Sequence, residues 1–167
     1  MLTGVTDNLK ERCITFGKLL QQRFPDKPVF YFSYQPVGII SLESNKLQKV
    51  SSLPSPLYGF CGIAQPELFQ KTLATQDISM SGFLPLKDHQ PFTPSLIKKI
   101  TGQANAKNAQ GLITTEKDLI KLQKGTFELP CFGLKMKVQP DLAFKDYLEE
   151  KLSIFTQLCH SSHRSAK

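Results

Sequence analysis

The sequence predicts an α/β fold: a three-layer α/β/α sandwich on a mostly parallel sheet, with a short β hairpin or linker element. Three observations carry that expectation. Short β-rich runs alternate with helical segments through most of the chain, and strands joined by helical crossovers pair in parallel with helices on both faces. Two helical segments open with proline at their first position, Pro66 and Pro94, where a missing N–H costs nothing. A length of 167 residues, 40% of them hydrophobic and 21% charged, suffices for one buried core without disulfide or metal staples. Residues 1–158 are expected to form one α/β domain and residues 159–167 a disordered tail.

The elements follow in order. Asp7 can cap a helix running to Phe24, in which Leu9, Cys13, Phe16, Leu20 and Phe24 recur at spacings of three and four; Pro25 and Pro28 stop it. The aromatic run Val29–Tyr34 predicts a strand buried on both faces. Gly38–Leu42 and Lys46–Val50 read as a small hairpin turning through Glu43–Asn45, and Ser51–Pro56 has linker composition. Leu57–Ala64 is a strand ending in small residues. A helix from Pro66 to about Thr75 follows, with Glu67 favouring its positive end.

Ile78–Leu84 is the next strand and Pro85–Phe92 a loop. Thr93 caps a helix extending to about Ala106. Gln110–Thr114 is a strand, and Thr115 with Asp118 forms a capping-box-like pair opening a helix over Glu116–Leu122. Cys131–Val138 supplies the last strand. Asp141 caps a final helix carrying Leu142, Leu148, Leu152, Phe155 and Leu158. In such folds ligands collect at the carboxyl ends of strands, which selects the loops Gly62–Glu67, Leu86–Thr93 and Thr114–Asp118.

Net charge is +7, and Arg is scarce among the 21 basic residues. The surplus suits an anionic partner such as phosphate or anionic lipid, or serves as a solubilising surface. The scarcity of Arg, the usual reader of bases, argues against nucleic acid. No apolar run reaches the 18 or so residues of a membrane span, and Met1–Asp7 has neither the basic region nor the apolar core of a signal peptide. The four cysteines, Cys13, Cys61, Cys131 and Cys159, are widely spaced with no C-x-x-C pair, which fits reduced cytosolic thiols. Cys159, His160 and His163 bunch near the end without a fourth ligand nearby, so no metal site is expected there.

His89 is the only histidine in the body of the chain. It sits in a post-strand loop beside Asp88, where it can serve as a proton shuttle or simply as a surface residue. The turn Thr114-Thr115-Glu116-Lys117-Asp118 offers hydroxyls, a lysine and free N–H groups to a phosphate, or is a well-capped helix start with solvated charges. Cys61 reads as a packing cysteine rather than a nucleophile served by His89. Neither G-x-x-x-x-G-K-[ST] nor a post-strand G-x-G-x-x-G occurs, so these residues contain no recognisable nucleotide-phosphate cradle.

Taken in order, Gly59-Phe-Cys-Gly-Ile-Ala-Gln-Pro-Glu67 with Phe69 and Leu73, then Gly82-Phe-Leu-Pro-Leu-Lys-Asp-His-Gln-Pro-Phe-Thr93, then Leu112-Ile-Thr-Thr-Glu-Lys-Asp118 closely resemble the C-terminal half of the tetraacyldisaccharide 4'-kinase (lipid A 4'-kinase) family. The family pattern there reads approximately F-C-G-I-A-x-P-x-x-F, F-x-D-H-H-x-[YF] and T-T-E-K-D, and the match is clearest over residues 58–122. The resemblance implies transfer of the ATP γ-phosphate to the 4'-hydroxyl of tetraacyldisaccharide 1-phosphate, with Mg²⁺, at the cytoplasmic face of the inner membrane. It further implies two α/β/α lobes joined by a β linker, for which residues 38–50 and 131–138 are candidates. The P-loop and metal carboxylates belong to the first lobe, which this chain does not match.

On that reading the main ATP and Mg²⁺ ligands are absent here, the partner is a P-loop lobe or a separate chain bearing one, and the isolated chain is expected to be inactive. His89 takes the place of the first histidine of the D-H-H stretch and Gln90 the second, which leaves His89, with Asp88, as the catalytic candidates. Thr114, Thr115, Glu116 and Lys117 are the substrate- or phosphate-binding candidates. Phe92 fills the aromatic position without a phenol hydroxyl. Two other classes stay open: a stand-alone ligand-binding or regulatory α/β domain without catalysis, and a phosphate-handling enzyme built on the Thr114–Asp118 turn.

Overall fold

A computed structural model describes residues 2–3 and 10–162, with side chains from 11 to 155. In chain order the elements are β1 (Leu2–Thr3), α1 (Lys10–Arg23), β2 (Tyr31–Ser41), β3 (Leu47–Gln48), β4 (Leu57–Cys61), α2 (Pro66–Ala74), β5 (Met80–Pro85), α3 (Pro94–Ala106), β6 (Gly111–Thr115), α4 (Glu116–Leu119), β7 (Cys131–Pro140) and α5 (Leu142–Ser162). The chain divides into two compact units, one spanning Pro36–Met136 and the other comprising Met1–Gln35 with Lys137–Lys167.

In the Pro36–Met136 unit the strands run β7-β6-β4-β5, and every pairing among them is parallel. The end of β2 turns into β3 as the expected antiparallel hairpin, with Ile39 opposite Gln48 and Ile40 opposite Leu47. Every residue of β4 is buried, because helices cover both faces of the sheet. Alternation along the strands sorts the core into two layers. Tyr58, Phe60 and Leu112 pack with Leu96, Ile100 and Ala104 of α3. Leu57, Cys61, Ile113, Phe132 and Leu134 pack with Phe69 and Leu73 of α2 on the other face. The three-layer α/β/α arrangement expected from the sequence is therefore present.

The crossovers also fix where a ligand can sit. From β4 the chain passes through α2 to β5 on one side, then through α3 to β6 on the other side of β4. Strand order thus reverses between β4 and β6, and the carboxyl ends of these strands flank a topological switch point, the usual binding crevice of open α/β sheets. The helix starts follow their local chemistry. Thr93 Oγ1 accepts from the Leu96 N–H ahead of Pro94, and Thr115 Oγ1 accepts from the Asp118 N–H. α4 ends at Leu119, short of the expected Leu122, and Gly125 turns the chain at φ +74°.

The other unit corrects two expectations and shows which side of its last helix is covered. In α1 the buried face centres on Gly17, flanked by half-buried Cys13 and Leu20, whereas Phe16 and Phe24 are exposed despite their helical spacing. Of the strand residues Tyr31–Tyr34 only Phe32 is buried, so this strand is not covered on both faces. On α5 the rings of half-buried Phe144 and of Tyr147 meet Phe30 at 5.3 and 5.1 Å, while Leu142, Leu148, Leu152 and Phe155 are exposed. Apolar spacing finds a helix; which stripe is covered depends on where neighbouring chain lies.

Asp141 caps α5 as expected, its Oδ1 accepting from the Phe144 N–H and its Oδ2 from the Tyr31 N–H. The helical backbone continues through Ser162, past the start of the expected tail. Asp7, Leu9, and the side chains of Leu158, Cys159, His160 and His163 lie outside the described residues. Among the described residues no helix is long and apolar enough to cross a membrane.

Candidate active site

Three loops at the carboxyl ends of β4, β5 and β6 meet at the switch point. The Leu86 N–H donates to the Cys61 carbonyl at 2.9 Å, and the His89 N–H donates to the Gly62 carbonyl at 3.4 Å. The loop after β5 is thereby laid along the end of β4. Gln90 closes it from within: its side-chain oxygen accepts from the Lys87 N–H at 3.0 Å while its own N–H donates to the Lys87 carbonyl. Phe92 anchors the far side, its ring edge-on to Phe60 at 5.8 Å. Between these anchors His89 adopts φ +58°, a left-handed conformation that a non-glycine residue holds only when its surroundings impose it.

That conformation presents His89 to solvent with a charged neighbour of each sign. Lys117 Nζ lies 3.4 Å from His89 Nε2, and the Asp88 carboxylate lies 3.8 Å from both Nε2 and Lys117 Nζ. The first distance permits a long hydrogen bond, whereas the two at 3.8 Å are electrostatic contacts only. An ammonium can only donate, so a bond from Lys117 requires Nε2 to be the unprotonated ring nitrogen with the proton on Nδ1. The structure brings His89 and Asp88, from the loop after β5, together with Lys117 of α4, 28 positions beyond His89.

The remaining turn residues point elsewhere. Thr114 is fully buried within β6, and its hydroxyl has no hydrogen-bond partner among the described residues. Thr115 Oγ1 caps α4 and also lies 3.1 Å from Asp118 Oδ2. Glu116 pairs with Lys135 at 3.6 Å. Of the four turn candidates, Lys117 alone joins His89.

Asp118 departs from its expected role as the reciprocal half of a capping box. Its carboxylate is completely buried and accepts from the Gly62 N–H at 2.7 Å, the Thr115 hydroxyl at 3.1 Å and Lys121 Nζ at 2.7 Å. The spacing Thr-x-x-Asp was the available signal, but it points to a local cap; the long-range partner Gly62 is 56 positions away. Gly62 itself has a steric reason to be glycine. A Cβ there would stand 3.1 Å from the Lys87 carbonyl and 3.6 Å from Asp118 Oδ1.

Cys61 is buried at the end of β4, and burial, then the nearby Asp118 charge, push its thiol up to about 12. A thiol so disfavoured as thiolate is packing material rather than a nucleophile. Cys131 is likewise pushed up to about 12, chiefly by burial. Among the described residues no group of three or more His, Cys, Asp or Glu side chains could hold a metal ion.

Comparison with known proteins bears on most of the chain. The family model for LpxK, tetraacyldisaccharide-1-P 4'-kinase, matches residues 8–153. A tetraacyldisaccharide 4'-kinase from Desulfotalea psychrophila is 32% identical over 93% of this chain and 44% of its own length. One from Syntrophus aciditrophicus is 33% identical over 75% of this chain and 34% of its own length. A crystal structure of the "apo" form of LpxK from Aquifex aeolicus in complex with ATP aligns at a TM-score of 0.49 and 24% identity, over 75% of this chain and 38% of that one. The chain therefore spans less than half the length of these curated relatives. On the extent of the family match, the chain belongs to the tetraacyldisaccharide-1-P 4'-kinase family.

Proposed function

We propose that this chain is the histidine-bearing lobe of a kinase that transfers the ATP γ-phosphate to the 4'-hydroxyl of tetraacyldisaccharide 1-phosphate in lipid A biosynthesis, with residues 1–158 acting as one lobe. The observation that carries this reading is the convergence of His89, Asp88 and Lys117 beside the switch point. Phosphoryl transfer is mostly positioning and electrostatic stabilisation, and this group supplies both kinds of element. His89 Nε2, unprotonated while Lys117 donates to it, accepts the proton of the attacking hydroxyl as the new O–P bond forms and ADP departs. Lys117, half-exposed, turns its charge to the transferring phosphate, and the Asp88 carboxylate stands 3.8 Å from both His89 Nε2 and Lys117 Nζ.

The nucleotide phosphates must be held by residues beyond these 167, since no glycine-rich cradle is present in them. Turnover therefore requires a P-loop lobe, and the +7 charge supports peripheral contact with an anionic membrane face that presents the lipid. The test is to mix the purified chain with a P-loop half from a family member and follow ATP-dependent phosphorylation of the disaccharide. Turnover is expected only in the mixture, reduced at least tenfold by His89→Ala. Turnover by this chain alone, or complementation indifferent to that substitution, refutes the assignment. Nucleotide or lipid binding without turnover in any mixture favours the stand-alone binding domain.

A further inference from the structure

We propose that Asp118 is a positioning residue: through the Gly62 backbone it sets where the His89 imidazole stands. The inference rests on the reading of His89 above but concerns a fully buried residue whose hydrogen bonds go to Gly62, Thr115 and Lys121 and not to the imidazole. Asp118 Oδ2 takes the Gly62 N–H at 2.7 Å, and on the other side of the same residue the Gly62 carbonyl takes the His89 N–H. The relay is therefore one residue long. It acts on a backbone whose left-handed φ of +58° needs outside support.

Sterics close the same path. The room at Gly62 is so small that a methyl group would press on the Lys87 carbonyl, two residues before His89. What couples the native Gly62 peptide to the histidine loop is its carbonyl, which takes the His89 N–H. The second arm comes from α4. Asp118 is held to Thr115 on both its N–H and its carboxylate, and this single turn of helix carries Lys117, which meets His89 Nε2. Asp118 consequently reaches both the backbone and the ring of His89.

Its chemistry suits the task. A fully buried carboxylate with three donors, one of them a lysine, has one low-energy arrangement, because any other leaves a charge or an N–H unsatisfied. Such a group makes a stiff reference point, whereas His89 and Lys117 in solvent have none of their own.

The test uses the full 167-residue chain. Proton–nitrogen and proton–carbon NMR spectra would follow the Gly62 amide and the His89 amide and ring in Asp118→Asn, Gly62→Ala and, as a packing control, Leu73→Ala. Asp118→Asn is expected to move the Gly62 amide upfield and displace the His89 signals with it. Gly62→Ala should displace His89 too, and decides the matter if the Asn variant does not fold. Leu73→Ala should leave the His89 signals in place. His89 signals unmoved in both loop variants, or moved equally by Leu73→Ala, would overturn the positioning role. In the mixed kinase assay Asp118→Asn should lower kcat at least tenfold with KM for ATP within twofold. A normal kcat in a system that turns over refutes the role. A wild type without turnover instead counts against the kinase reading and leaves the spectra to decide Asp118.

Discussion

Asp118 and His89 stand at the ends of one short relay and obey opposite rules. Asp118 is wholly buried, its carboxylate accepting from three donors on three segments, while the His89 side chain is 71% exposed with neighbours at 3.4 and 3.8 Å. Low dielectric and full satisfaction make the first arrangement rigid and costly to disturb. Solvent weakens the second and leaves its members free to turn toward an incoming phosphate. The contrast separates what holds the switch point together from what would react there.

The strongest way to break the comparison is to cut the buried end. Asp118→Ala removes the acceptor for the Gly62 N–H and leaves the Lys121 charge unpaired, so a loss of ~3–5 kcal/mol is expected in urea unfolding. A loss under ~1 kcal/mol would mean the carboxylate is not the hub its geometry suggests. Ile100→Ala, in the α3 layer of the core, calibrates that number at ~2–5 kcal/mol from lost packing alone.

Smaller effects belong to the exposed end. Lys117→Ala should change stability by no more than ~0.5 kcal/mol, since its partners are solvent-screened, while slowing the mixed kinase reaction at least tenfold. Equal losses in both measurements would erase the distinction between the two ends. His89→Gly should be neutral or stabilising by up to ~1 kcal/mol, because glycine accepts φ +58° without strain but gains freedom when unfolded. A clear destabilisation would show that the imidazole itself holds the loop.

The thiols sharpen the picture at the level of pH. Cys61 and Cys131 are pushed from an ordinary 9.0 to about 12 by burial, so both remain protonated in the fold where unfolded thiols ionise. Their contribution to stability is present below pH 9 and is lost as pH rises through the window from 9 to about 12. Native alkylation at pH 8.5 read by mass spectrometry should therefore modify partly exposed Cys13 well before either. Rapid labelling of Cys61 would contradict its burial at the end of β4.

Local signals in the chain read well where the responsible physics is local. Thr93 before Pro94, Thr115 before Glu116 and Asp141 before Leu142 all cap helices as their side chains allow. The hairpin through Glu43–Asn45 and the parallel strands around Leu57–Cys61 follow from β-rich runs between turns and helices. Failures came where burial depends on a neighbour. Phe16 and Phe24 share a helical spacing that the tertiary fold does not cover, and Gly17 takes the buried place instead. At the site, Thr114 had the right chemistry for a phosphate but lies on the interior of β6. Gln90, at a position that departs from the family pattern, closes the histidine loop on Lys87.

By itself the sequence determined the alternation of strands and helices, their starts, and the ordered motifs that identify the family, because period, caps and proline act within a few residues. Only the tertiary structure decided that Lys117 meets His89, that Asp118 reaches Gly62 rather than merely capping α4, and which apolar stripes are covered. Those contacts join residues 28 and 56 positions apart. They exist because strand order reverses between β4 and β6 and brings three loop ends to one place.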